Sequence, residues 1–231
     1  MIKFLDWDSN FFGKRIGSVH LYSPEVKELK ELIKDKKENN FQLIYLFIEK
    51  PSTEIHNWIV NHSGLLVDNK VNFEKIIHSN KFNTYPNIIE FNEFSNSKLK
   101  KLAISSGHKS RFKVDPRLNS KYEELFIIWI ERSIEGVMAD KVFVYIDNDE
   151  IVGFVSIKIK EDYGQIGLIA VDDEHQKKGI GIKLIETCEA WLHNNQIFRL
   201  QVITQKENTG ACLLYKKTCF AIIETQTIYH I

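Results

Sequence analysis

Six consecutive residues, Gln176-Lys177-Lys178-Gly179-Ile180-Gly181, have the composition of an anion-binding turn. They follow Tyr163 to Val171, a short apolar run relieved by glycines and closed by Asp172-Asp173-Glu174-His175, which reads as a buried strand. After them Ile182, Leu184, Ile185, Cys188, Ala190, Trp191 and Leu192 recur at helical spacing. The glycines therefore sit where a strand hands over to a helix. There the backbone can approach a ligand closely, and the N–H groups of the first helical turn face outward. A helix start of this kind, at the positive end of the dipole, suits a phosphate or pyrophosphate. The spacing fits neither the Gly-x-x-x-x-Gly-Lys-Ser/Thr phosphate loop nor the Gly-x-Gly-x-x-Gly dinucleotide turn. An ordinary strand–helix loop satisfies the same hexapeptide, so the decision rests on what accompanies it.

A second constellation is Asn208-Thr209-Gly210-Ala211-Cys212-Leu213-Leu214-Tyr215, running on to Phe220. A third is the basic stretch Gly107-His108-Lys109-Ser110-Arg111-Phe112-Lys113, bracketed by glycine and by Pro116, which reads as a loop. His108, Lys109 and Arg111 are candidate anion ligands there, although a solvated charged loop has the same composition. Trp7, Phe11 and Phe12 offer flat surfaces near the start, or simply core. The histidines show no metal-ligand spacing, and no metal is expected. Cys188, Cys212 and Cys219 form no C-x-x-C pair, and an odd count closes no disulfide framework; buried thiols in a reducing compartment are expected.

The elements that must position these residues are readable from periodicity. Before the glycine turn come the strong helix Tyr122–Glu135 and a hairpin, Val142–Ile146 with Ile151–Ile159, turning at Asn148-Asp149. After it come the strand Phe198–Thr204, the helix Glu207–Lys217 and a closing hairpin, Ala221–Ile223 with Gln226–His230. Upstream, Ile16–Leu21 and Phe41–Ile48 read as strands, Pro24–Lys37 and Ser52–Asn61 as helices. Leu65–Lys75 reads as a hairpin turning at Asp68-Asn69. Lys81–Asn87 is the one credible linker, giving a smaller α/β unit at 1–85 and a second at 86–231.

Bulk properties narrow the classes. With 231 residues, 43% hydrophobic and 27% charged, the chain has ample apolar content for a core. Lys+Arg and Asp+Glu are both 31, which removes the electrostatic case for nucleic acid as the main partner. No signal-peptide-like run or membrane-length apolar stretch is visible, so a cytoplasmic protein without a membrane partner is expected.

The hexapeptide resembles the Gln/Arg-x-x-Gly-x-Gly/Ala turn of the GCN5-related N-acetyltransferases (GNAT). Asn208 to Phe220 resembles their Asn-x-x-Ala-x-x-Leu-Tyr-x-x-x-Gly-Phe pattern, with Cys219 where that family usually has glycine. The β-α-α-β-β-β-α-β-α-β-β order from Ile88 is similar to theirs. The resemblance implies a GNAT fold: a mixed, mostly antiparallel central sheet flanked by helices, α/β (α+β) in class, beside the smaller N-terminal unit. It implies acetyl-CoA held at Gln176, Lys177, Lys178, Gly179, Ile180 and Gly181, with Asn208 and Ala211 along the coenzyme arm. The backbone of Leu168, Ile169, Ala170 and Val171 would orient the thioester. Tyr215 would sit beside the thioester sulfur and protonate the departing thiolate as general acid; a tyrosine packed on a core helix is the alternative.

Leu5-Asp6-Trp7-Asp8-Ser9-Asn10-Phe11-Phe12-Gly13, Ser110-Arg111-Phe112 with Trp129-Ile130-Glu131, and Ile228-Tyr229-His230-Ile231 are similar to segments of the dTDP-fucosamine (dTDP-4-amino-4,6-dideoxygalactose) N-acetyltransferases. That similarity implies a nucleotide-linked amino-dideoxysugar as acceptor, bacterial surface-polysaccharide synthesis and a homodimer. No side chain stands out as the base that frees the amine, and Glu131 is a guess. Acetylation of a protein or another small amine is the first rival. A non-catalytic acyl-CoA-binding module is the second.

Overall fold

The computed structural model describes residues 1–78, 81–93 and 96–231. Ten strands form one sheet in the order β1-β2-β3-β10-β4-β9-β8-β7-β6-β5. The strands are β1 (Lys3–Phe4), β2 (Ile16–Leu21), β3 (Leu43–Ile48), β4 (Leu65–Ile76), β5 (Ile88–Glu90), β6 (Lys141–Asp147), β7 (Glu150–Lys160), β8 (Tyr163–Val171), β9 (Arg199–Gln205) and β10 (Ala221–His230). Two pairs are parallel, β2–β3 and β8–β9. Each is joined by a helical crossover, as parallel neighbours require: α2 (Val26–Glu38) and α7 (Ile180–Asn194).

The alternation of apolar residues along the strands builds two layers. On one face α7 and α8 (Thr209–Lys217) cover Val71, Phe73, Val155, Ile157, Ile166 and Val202. On that side α2 and α3 (Thr53–Asn61) cover Ile44, Leu46 and Ile48. On the other face α1 (Asp6–Phe12), α4 (Ser97–Ser106) and α6 (Tyr122–Ile134) pack over Leu43, Tyr45, Val144, Phe154 and Leu168. Ser52 caps α3 through Ile55 N, and Asn96 caps α4 through Leu99 N.

Several expectations are corrected. Asp68-Asn69 is no turn: β4 is one twelve-residue strand. The closing hairpin is likewise one strand, β10, whose pairing with β4 slips between Ile222 and Glu224. The extra residue at that bulge is Ile223, and the polar residues that mimic a turn, Glu224 and Thr225, pair in register with Asn72 and Val71. The basic loop contains a short helix, α5 (Arg111–Val114). Of the three thiols only Cys188 is buried; Cys212 is half-buried and Cys219 exposed.

The boundary expected at residue 85 falls between strands of one continuous sheet. β4, from the N-terminal side, inserts between β9 and β10 and pairs antiparallel with both.

Candidate active site

The strand–turn–helix is built as its residues dictate. Lys177 has φ 61° and Gly179 φ 80°, two left-handed positions that turn successive amides toward one side. Glycine takes φ 80° without strain, and it is the N-cap of α7. The N–H groups of Ile182 and Lys183 both bond to Gly179 O; those of residues 177–181 have no partner among the described residues. The Gln176 side chain folds back, its Nε2 donating to Asp173 Oδ1 at 2.7 Å and to Val171 O at 3.3 Å. Residues 176–178 stay exposed, so the free amides face outward. At Gly181 an added Cβ would sit 3.1 Å from Leu214 Cδ2, so the glycine lets α7 start against α8.

The strand before the turn parts from its neighbour. β8 and β9 pair only at Gly164–Leu200, Gln165–Gln201 and Ile166–Val202. Beyond that point β8 follows β7, pairing Val155 with Ile169, Phe154 with Ala170 and Gly153 with Val171. β9 instead follows β4, with Thr204 opposite Val71 and Gln205 opposite Lys70. Leu168 N donates to Ser156 Oγ at 2.9 Å and Asp172 N to Val152 O at 2.8 Å, both toward β7. Strand amides alternate in direction, so those of Ile169 and Val171 point into the opening between β8 and β9. The two strands form a V with polar backbone on one wall.

On the α7–α8 face, Tyr215 lies between the rings of Phe73 and Phe220, at centroid distances of 5.4 and 5.6 Å. It is 2% exposed, and burial pushes its phenol well above the usual range. Its hydroxyl has no hydrogen-bond partner among the described residues, and its ring is one of the largest fully buried side chains. Asn208 caps α8, its Oδ1 accepting from Ala211 N at 3.3 Å.

The opposite face holds a polar cluster that local sequence patterns do not reveal. The Arg111 guanidinium stacks on Phe112 at 4.5 Å, Tyr45 at 5.0 Å and Phe47 at 5.6 Å. Asp8 and Asp68 are its charged neighbours. It makes no hydrogen bond among the described residues. Among the described residues, the fully enclosed side-chain polar atoms without a partner are Tyr45 Oη, Asp68 Oδ1, Asn72 Oδ1, Ser110 Oγ, Arg111 Nε and His230 Nε2. All of them belong to this cluster, to the residue beside Arg111, or to the same face of β4. Polar atoms are seldom left this way, and a concentration of them marks a place for a polar ligand. His230 stacks on Tyr45 at 4.5 Å and donates from Nδ1 to Asp115 Oδ2 at 2.6 Å.

Other candidates separate from this group. His108 and Lys109 are exposed at the end of α4, where His108 Nδ1 bonds to Ser105 O. Glu131 is paired with Lys100 at 2.6 Å, away from the Arg111 contacts. Phe12 is core, whereas Trp7 is 50% exposed and stacks on Phe11 at 5.0 Å. Among the described residues no group of three His, Cys, Asp or Glu could hold a metal, and no helix is long and apolar enough to cross a membrane.

Known proteins resemble this chain in sequence and in fold. Residues 108–219 match the acetyltransferase (GNAT) family model. The fold is the GNAT fold. A functionally unknown conserved protein from Staphylococcus epidermidis superposes over 99% of this chain and 88% of its own, with TM-score 0.66 at 14% identity. A GCN5-related N-acetyltransferase from Sphaerobacter thermophilus covers 89% of this chain and 66% of its own, with TM-score 0.55 and 14% identity.

Curated relatives match over shorter stretches. The uncharacterized N-acetyltransferase YobR of Bacillus subtilis (strain 168) is 31% identical over 35% of this chain and 33% of its own length. Streptothricin acetyltransferase A of the same organism is 30% identical over 38% of this chain and 51% of its own. The chain thus spans between a third and a half of these relatives. The GNAT segment ends before β10 and excludes β4, the strand that carries Asp68.

Proposed function

We propose that this GNAT-fold protein is an acetyl-CoA-dependent N-acetyltransferase whose acceptor is the amine of a nucleotide-linked amino-dideoxysugar. The observation that carries the reading is the V between β8 and β9, with free amides at the α7 start on one side and the Arg111 cluster on the other face. The residues present suit acetyl-CoA. The amides of 177–181 and the exposed side chains of Lys177 and Lys178 form a cradle for a diphosphate. The amides of Ile169 and Val171 supply donors for an amide-bearing arm and for the thioester oxygen.

Acetyl transfer needs the amine to reach the thioester carbonyl, and the opposite face offers the place. The unpartnered Arg111 fork suits a phosphate oxygen, and the aromatic faces around it keep it in place. Trp7 and the His20–Phe47 stack, with centroids 4.3 Å apart, offer flat surfaces for a base. Asp8 and Asp68 suit the amine. An acceptor that is at once anionic, aromatic and amine-bearing fits the whole set. Tyr215, held protonated by its burial, delivers its proton only as the thiolate charge develops. The resemblance to dTDP-fucosamine N-acetyltransferases brings with it a homodimer.

The streptothricin acetyltransferases among the relatives favour a second reading, an amine-bearing antibiotic as acceptor. Thiol release from acetyl-CoA, measured with dTDP-4-amino-4,6-dideoxyhexoses, the free amino sugars and streptothricin, separates the two. Turnover with the nucleotide-linked sugars and little with the others is expected; faster turnover with streptothricin would reject the nucleotide-sugar reading.

A further inference from the structure

We infer that Asp68 is the group that takes the proton from the acceptor ammonium; this rests on the acetyltransferase reading above. β4 runs antiparallel to β9, with Lys70 opposite Gln205 and Lys206 N donating to Asn69 O at 2.8 Å. Asp68 therefore lies just past the end of β9, beside the mouth of the V. The strand alternation puts it on the same face as Asn72, away from Val71 and Phe73, which pack under α8. It is thus across the sheet from Tyr215.

Asp68 is 8% exposed and its Oδ1 is enclosed without a partner. Facing it are Arg111 from α5, Gln205 from β9, Glu207 from the turn before α8, and Lys70 from its own strand. Burial pushes its carboxyl up to about 7, with Arg111 pulling it back and Glu207 adding to the rise. A base that is half-ionised near neutrality can both accept a proton and return it to water.

The other carboxylates fit less well. Asp8 lies on α1, toward β3 and away from β9, and Glu131 is paired with Lys100. Asp115 is committed to His230 and Arg117.

The step balances. The bound R–NH3+ gives one proton to the Asp68 carboxylate, and the freed lone pair forms the C–N bond to the thioester carbon. The C–S bond breaks and the thiolate takes the Tyr215 proton. The phenolate regains a proton from the nitrogen of the new amide, and Asp68 releases its own to water.

The test is kcat against pH at saturating acceptor for the full chain and for Asp68→Asn, a variant of equal size. It is paired with calorimetric titration of CoA into both and with the 13Cγ signal of Asp68 in aspartate-labelled protein. The acceptor is the most active compound in a panel of dTDP-4-amino-4,6-dideoxyhexoses, free amino sugars and streptothricin. The expected result is a wild-type limb rising near neutrality with a 13Cγ titration at the same pH. In Asp68→Asn kcat falls by at least about 10-fold, the limb moves up to the ionisation of the amine itself, and CoA affinity is unchanged. Identical profiles in the two proteins, or a 13Cγ signal that titrates in the ordinary carboxylate range, would overturn the assignment. CoA binding with no thiol release from any amine, and no amine moving the Asp68 signal, would also overturn it and would remove the acceptor reading while leaving the coenzyme site. Failure to bind CoA would instead show that the acetyltransferase reading itself is wrong, and Asp68 would fall with it.

Discussion

Ser156 Oγ accepts a hydrogen bond from Leu168 N at 2.9 Å, in the place where the pairing of β7 with β8 slips between Val155 and Ile157. The side chain supplies the acceptor that the displaced backbone no longer offers, and it does so in a buried position. Immediately past it, β8 leaves β9. The serine therefore fixes the backbone that points its next amides into the V.

Ser156→Ala should leave the Leu168 amide unsatisfied and cost about 1–3 kcal/mol. Urea unfolding monitored by circular dichroism measures the loss. CoA affinity should weaken with it, because the wall of the V is released; stability unchanged within error would show that the bulge is held by its neighbours instead.

Tyr215→Phe removes one oxygen from a ring already held by Phe73 and Phe220. Stability should change little, and CoA affinity should stay close to wild type. Thiol release should fall by roughly 10–100-fold. Full turnover in the variant would show that the thiolate leaves without this phenol.

Replacing Arg111 with methionine keeps much of its volume among Tyr45, Phe47 and Phe112 while removing the charge. We expect KM for an anionic acceptor to rise by roughly 10-fold or more, with KM for acetyl-CoA unchanged, because the arginine lies on the face away from α7. Steady-state kinetics varying each substrate in turn makes the check. An equal loss on both substrates would point to damage spread through the sheet.

The His230–Asp115 pair makes stability depend on acid pH. Burial lowers His230 to about 4, partly opposed by Asp115. Burial by itself would raise Asp115, but the hydrogen bonds from His230 and Arg117 outweigh it and hold the carboxyl well below its usual range. Between pH 6.5 and about 4 the unfolded chain binds a proton that folded His230 refuses, so stability falls as pH drops through that window. The loss is on the order of 3 kcal/mol. Below it, Asp115 extends the decline. Unfolding free energies at pH 7 and 5 should differ in the wild type and converge in His230→Gln, after correction for the lower baseline.

The glycine turn, α7 and α8 are legible in the sequence because each is a local pattern: glycines at a junction, then apolar residues at helical period. β4 and β10 are not, for opposite reasons. Asp68-Asn69 has turn composition, but its carboxylate is buried against Arg111, a residue more than forty positions away. In β10 the polar residues Glu224 and Thr225 resemble a turn, yet they pair in register with β4 just past the bulge at Ile223. Arg111 is conspicuous in a basic stretch, yet nothing nearby says that its fork stacks on Tyr45 and Phe47. His230 looks like the end of an apolar strand; its partner Asp115 comes from a different part of the chain. The site between them is assembled by pairings that no window of sequence contains.

Placing β4 between β9 and β10 also limits how the molecule can be taken apart. A version starting at residue 86 would keep the GNAT-matched stretch and every proposed coenzyme contact, but it would lack the rung that joins β10 to the rest of the ladder. Three raw hydrogen-bonding borders would then be left, one on β9 and both on β10, because β3 goes as well, and two of them face each other across a gap one strand wide. Such a piece should clump or stay partly unfolded, and a synthetic peptide of residues 65–76 is the one missing part able to bridge it.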